Sequence, residues 1–175
     1  MRKTVLTFGL MAGAILSAMM LLTQPFQDQI GFERSAIVGY TTMVLAFLMV
    51  FFGVRSYRDT VGGGSVTFGR AFAVGLLITL VASACYVVTW ELIYFQLAPD
   101  FADKYAAYML EQARQSGASE ARIAEKLREV TEFREMYRNP LVNIALTWLE
   151  PLPVGLLFTL VSALGLSRQR SAAMA

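Results

Sequence analysis

The sequence predicts an all-α integral membrane protein, with four transmembrane helices and an extramembrane helical hairpin between the third and the fourth. Three observations predict it. Of the 175 residues, 56% are hydrophobic and only 16% are charged, against about a quarter in soluble domains, and the mean hydropathy is +0.52. Apolar runs of about 20 residues recur along the chain, each long enough to cross a hydrocarbon core of roughly 30 Å. A polar stretch of a different kind, residues 98–139, interrupts them and holds seven of the fifteen basic and eight of the thirteen acidic residues. Backbone in lipid must satisfy its own hydrogen bonds, so the spans are expected to be helices. The whole chain, 1–175, reads as one membrane domain with spans at about 4–23, 35–54, 68–97 and 140–166.

The first run, Met1 to Thr23, opens on Arg2 and Lys3. A charged start followed by an apolar run is also the signature of a signal peptide. The run is about 19 residues long without a clean A-x-A site after it, so a retained span is the expectation. Gly9, Gly13 and Ser17 fall on one face, where small side chains let a second helix approach closely. A polar connection with Pro25, Asp28, Gly31 and Glu33 leads to the second run, Ser35 to Val54. A basic turn is expected next, carrying Arg55, Arg58 and Asp59 and three glycines, Gly62, Gly63 and Gly64. Ser65 or Thr67 is placed to cap the third helix.

The third run, Phe68 to Leu97, spans about 30 residues, or roughly 45 Å of helix, so it must tilt or project beyond the lipid. Ala71, Gly75, Thr79 and Ser83 recur at every fourth position and form a second packing seam. Packing within the chain is the first expectation for both seams, ahead of an oligomer interface.

In the polar insert, Phe101, Tyr105, Tyr108 and Met109 share helical spacing, and Gly117 interrupts the pattern. Ser119 restarts it, and Ile123, Leu127, Val130, Phe133 and Tyr137 make one apolar stripe on a charged helix. Pairs of Arg128 with Glu125 and Glu132 are spaced to support that helix. Residues 98–139 therefore read as an extracytoplasmic helical hairpin with a solvated face. Asn139-Pro140 opens the last span, which contains Glu150, Pro151 and Pro153. The two prolines free the carbonyls of Thr147 and Leu149, so a kink is expected there. The tail, Ser171 to Ala175, reads as disordered.

Four spans put both termini on one side. Arg2, Lys3, Arg55, Arg58, Arg70, Arg168 and Arg170 lie there, against Arg34 and the seven basic residues of the insert on the other. The count is nearly tied. Arg2 and Lys3 flank the first helix, which usually dominates, and with the dense short turn they place both termini in the cytoplasm.

With one cysteine, Cys85, and no histidine, the chain lacks the commonest ligands of zinc and haem and the commonest catalytic base. No metal or cofactor is expected. Cys85 reads as a small buried hydrophobe. A net charge of +2 suggests no nucleic-acid partner. The stretch from Gly64 to Gly69 has the spacing of a phosphate loop but lacks its lysine and hydroxyl, with no strand before it.

Two sites remain. Glu91 and Glu150 lie inside apolar runs, about 31 and 27 Å from the cytoplasmic edge by helical rise, each beside a tryptophan, Trp90 or Trp148. Carboxylates at that depth are functional candidates. Together they can share a proton or hold a cation next to the freed carbonyls. Alternatively, each reaches the headgroups or pairs with an arginine such as Arg34 or Arg138. The second site is the basic turn, where Arg55, Arg58 and Arg70 can contact anionic lipid headgroups or simply set topology.

The segments FFGVRSYRD, GGGSVTFGRAFAVGLLITL, Trp90-Glu91, MYRNPL and LEPLPVGLLFTLVSAL resemble the bacterial membrane family designated domain of unknown function 4199, over roughly Thr4 to Leu166. The resemblance implies a four-span helical protein of the bacterial envelope and brings no activity or residue roles with it; the inner membrane is the expected location. The expected function is non-enzymatic binding or scaffolding, with the lipid bilayer and a homo-oligomer or another membrane protein as partners. The alternative is a small oligomeric transporter or ion-coupled permease using the paired glutamates.

Overall fold

The computed structural model describes residues 1–167, and they are helical almost throughout. The chain forms α1 (Arg2–Thr23), a 3₁₀ turn (Gln24–Phe26), α2 (Gln27–Ile30), α3 (Phe32–Thr60), α4 (Phe68–Leu92), a π-helical turn (Ile93–Leu97), α5 (Phe101–Gln115), α6 (Glu120–Tyr137), α7 (Pro140–Trp148) and α8 (Pro151–Ser167). Four segments are long and apolar enough to cross a membrane: Arg2–Ile30, Phe32–Thr60, Phe68–Leu97 and Pro140–Ser167. Arg168, Arg170 and the tail, for which the sequence raises expectations, lie outside the described residues.

α3 and α4 form the centre of the bundle, with α1 packed along one side of the pair and α8 along the other. Phe47, Val50, Val54, Val74 and Ile78 are fully buried between them. Apolar side chains such as Leu10, Leu45, Val88 and Leu157 point outward and are more than half exposed, the pattern of helices that turn their outer faces to acyl chains. Lipid tails are as apolar as leucine, so burial cannot drive these helices together, and close packing must.

Both small-residue seams do that work inside the chain. On α1, a Cβ added to Gly9 would stand 2.7 Å from Val81 Cβ, and one added to Gly13 would stand 2.6 Å from Cys85 Cβ. Thr89 Oγ1 donates to Ser17 Oγ at 2.7 Å and closes that seam. Cys85, a free thiol, therefore acts as packing volume. The α4 seam meets α8, where Thr79 Oγ1 donates to the Gly155 carbonyl at 3.2 Å and lies 3.1 Å from Thr159 Oγ1. Gly75 is shut in by Thr159 in the same way.

Several boundaries differ from the sequence expectation. α3 runs on to Thr60, so Arg55 and Arg58 ride on its last turns, and the connection shrinks to residues 61–67. Gly63 and Gly64 take φ of 60° and 84° there, the region that glycine enters without cost. Thr67 is the N-cap of α4, yet its side chain makes no capping bond. The third span ends in the π turn, closed by Ala98 N to Ile93 O at 2.7 Å. Pro99 accounts for the ending, because the residue before a proline is pushed out of the α region, and Ala98 sits at φ −138°, ψ 62°.

α5 and α6 pack on each other across a turn at Gly117, whose φ is 71°. Ser119 caps α6, accepting from the Arg122 amide at 3.4 Å. The ion pairs are not the expected ones. Arg122 takes Glu125, Lys126 takes Glu129, and Arg134 reaches across to Asp103 at 2.6 Å. Of the stripe, Val130 and Tyr137 are buried whereas Leu127 and Phe133 stay partly open.

Candidate functional site

The last span is broken at residues 149–150, between α7 and α8. Pro151 and Pro153 each lack an amide, so the helix cannot close its ladder through this point. The Thr147 carbonyl is not left free, because the Glu150 amide bonds it at 3.3 Å. The expectation that the Thr147 carbonyl is freed by Pro151 is corrected accordingly.

α7 begins at Asn139, whose side chain accepts from the Leu141 amide at 3.0 Å, and it carries two buried polar residues, Asn143 and Thr147. They anchor a ladder to α6 and α4. Asn143 Nδ2 donates to the Tyr137 carbonyl at 3.4 Å, and Thr147 Oγ1 donates to Asn143 Oδ1 at 3.1 Å. Tyr137 Oη lies 3.4 Å from Thr147 Oγ1 and accepts from Trp90 Nε1 at 2.9 Å. Burial raises the Tyr137 phenol above its ordinary value, so it stays neutral and can serve as donor and acceptor together. Buried polar groups satisfied in this way hold a packed arrangement in place.

Beside this ladder, Tyr86 Oη donates to Glu150 Oε2 at 2.6 Å. Both residues line a cavity of about 550 Å³ at the α5/α6 end of the bundle. Its walls come from α1, α3, α4 and the turn after it, and α5 and α6 close over it with Phe101, Tyr105, Phe133 and Tyr137. Eight of its 24 lining residues are aromatic, a much higher share than the 12% of the whole chain. Three methionines, Met19, Met20 and Met43, line it as well. Among the described residues, Glu150 is the only one lining the cavity that is of an ionisable acidic or basic type other than tyrosine.

The cover is tied down at its rim. Phe32, at the start of α3, packs against Phe101, Tyr105 and Tyr108 with ring centroids 5.6, 5.4 and 5.1 Å away. Lys104 Nζ reaches both Asp28 oxygens at 3.0 Å and Asp100 at 3.1 Å. Trp90 meets Phe101 edge-on at 4.9 Å.

Of the two sequence-predicted glutamates, Glu150 borders the cavity and Glu91 does not. Tyr86, Trp90 and Ile93 face the cavity at helical spacing, whereas Glu91 lies about 140° round the helix from Tyr86 and is not among the lining residues. Its Oε1 is buried with no hydrogen-bond partner. No hydrogen bond joins it to Glu150, and neither glutamate pairs with Arg34 or Arg138 among the described residues. Trp148 packs against the core, away from the cavity. At the opposite end, Arg58 Nε bonds Asp59 Oδ1 at 2.7 Å and Arg55 reaches Asp59 at 3.7 Å, while Arg70 is exposed. No group of three or more His, Cys, Asp or Glu able to hold a metal occurs among the described residues.

Sequence reasoning missed the cavity and its supports, Tyr86, Tyr137, Asn143 and Thr147. A signal was present: two polar residues spaced i, i+4 inside an apolar run must find partners across helices.

Neither the curated proteins nor the solved structures that were compared gave a match. The family model described as Protein of unknown function (DUF4199) matches residues 7–168. That match covers nearly the whole chain, and the chain belongs to this family.

Proposed function

We propose that the protein is a non-enzymatic binding component of a bacterial inner membrane, with both termini cytoplasmic and the α5/α6 pair as an extracytoplasmic hairpin. The hairpin serves as the cover of a ligand site. One observation carries this reading: the α5/α6 end of the bundle holds a large covered cavity. About 550 Å³ stands open under α5 and α6, within the size range of small-molecule sites, while Val50, Val54, Ala71, Val74 and Ile78 are packed without exposure in the central helices. A permease would need a path reaching both glutamates and continuing past that packed region, and only Glu150 meets the cavity.

Gly39 supplies the test. It lines the cavity, and a Cβ built on it has nothing within 4 Å, so Gly39→Phe puts a bulky ring at the cavity wall without a backbone clash. Purified protein carrying Trp148→Phe is titrated with small aromatic compounds while Trp90 fluorescence is followed. This parent is expected to give a saturable change that Gly39→Phe loses. No saturable change with any compound contradicts the binding reading.

A further inference from the structure

We propose that the cavity takes a small organic cation, with an ammonium group set against Glu150 and its apolar body among the aromatic rings. This rests on the binding reading above and adds the chemical class of the ligand. The first ground is charge. Among the described residues, Glu150 receives one hydrogen bond, from Tyr86, and forms no ion pair, and no lysine or arginine lines the cavity. A carboxylate at the edge of an apolar, aromatic space attracts a cation placed beside it, because the low-dielectric wall screens the pair less than water does. The second ground is the wall. Rings of Trp, Tyr and Phe attract ammonium groups through their faces, and Tyr40, Tyr86, Trp90, Phe101 and Tyr105 all border the space. The third ground is what the donor set disfavours. Calcium takes six to eight oxygen ligands, and a single carboxylate among aromatic and methionine side chains offers far fewer. Met19, Met20 and Met43 give the apolar part of a ligand an adaptable surface. Ser35 Oγ, which is buried without a partner and borders the same cavity, is available to a polar substituent.

The probe is benzyltrimethylammonium, with neopentylbenzene as its uncharged isostere. The full-length protein is reconstituted in phosphatidylglycerol mixed with either phosphatidylethanolamine or an uncharged glycolipid, and binding is read from Trp90 fluorescence in a Trp148→Phe background. The ammonium is expected to bind saturably and at least about tenfold tighter than its isostere, and Glu150→Gln, which keeps an oxygen for Tyr86, is expected to remove about that factor. Glu91→Gln is expected to leave binding unchanged. The isostere comparison on wild type stands even if Glu150→Gln fails to fold. Weaker probe binding in phosphatidylethanolamine supports the proposal with a lipid headgroup as the competing ammonium, and equal binding in both mixtures supports it with a free amine. If both compounds bind equally and Glu150→Gln changes nothing, the cation assignment is overturned and the binding reading stands. If neither compound binds and Gly39→Phe matches wild type, both are overturned.

Discussion

Gly13→Ala is expected to destabilise the bundle by about 1–3 kcal/mol, the usual cost of overpacking a close contact. The added Cβ would lie 2.6 Å from Cys85 Cβ and 2.7 Å from its Sγ, whereas carbon atoms rest at about 3.5–4.0 Å. Helices α1 and α4 must therefore part by about 1 Å at this level, and a gap of that size forfeits a quarter to a half of each dispersion contact along the seam. The next obstacle is Ala82 Cα at 3.6 Å, an ordinary contact, so the clash belongs to Cys85 alone. Cys85→Gly then relieves the substitution. Unfolding in detergent, followed by helical circular dichroism, should show the double variant recovering most of what Gly13→Ala loses, with a coupling of about 1–2 kcal/mol. A Gly13→Ala protein as stable as wild type, or one whose loss Cys85→Gly leaves untouched, refutes the account of the seam.

Tyr137→Phe strands Trp90 Nε1 and removes a partner of Thr147, so a loss of about 1–3 kcal/mol and altered tryptophan emission are expected; unchanged emission contradicts the ladder. Lys104→Met cuts the tie between α5 and Asp28 and is expected to speed proteolysis within residues 98–120 while the midpoint of bundle unfolding hardly moves. The Lys104 ammonium is held above its ordinary value of 10.5 by Asp28 and Asp100. The folded group has the higher pKa, so its contribution is fully present below 10.5 and fades as pH rises through the raised value. Cover opening, read by the same proteolysis, should therefore show no lysine-dependent rise up to pH 9. A wild-type increase between pH 6 and 9 that Lys104→Met abolishes contradicts it.

How much was legible follows from what each feature depends on. Spans show in the sequence because length and hydropathy are properties of single segments, and the four long helices agree with that reading. The seams were legible because small residues at every fourth position can serve only one face. The end of α3 was misjudged because Arg55 and Arg58 look like loop residues, although nothing before Gly62 breaks the helix. Depth along the axis put Glu91 and Glu150 at one level and could not show that Glu91 stays out of the cavity lining. Azimuth decides contact, and Glu91 lies on another face from Tyr86. The cavity could not be read at all, since Ser35, Tyr86, Phe101 and Glu150 come from four separate segments and meet only once the helices pack. The break at Pro151 was visible, but its effect on Glu150 depends on where α4 places Tyr86.

The central claim is that the covered cavity is where this protein binds its ligand, and photolabelling tests it most directly. An azide-bearing benzyltrimethylammonium, activated by light in the reconstituted protein and mapped by mass spectrometry, is expected to mark cavity residues such as Tyr40, Phe101 and Phe133, with labelling lost in Gly39→Phe. Label confined to outward-facing positions such as Leu45, Val88 and Leu157, and equal in the two proteins, would contradict it.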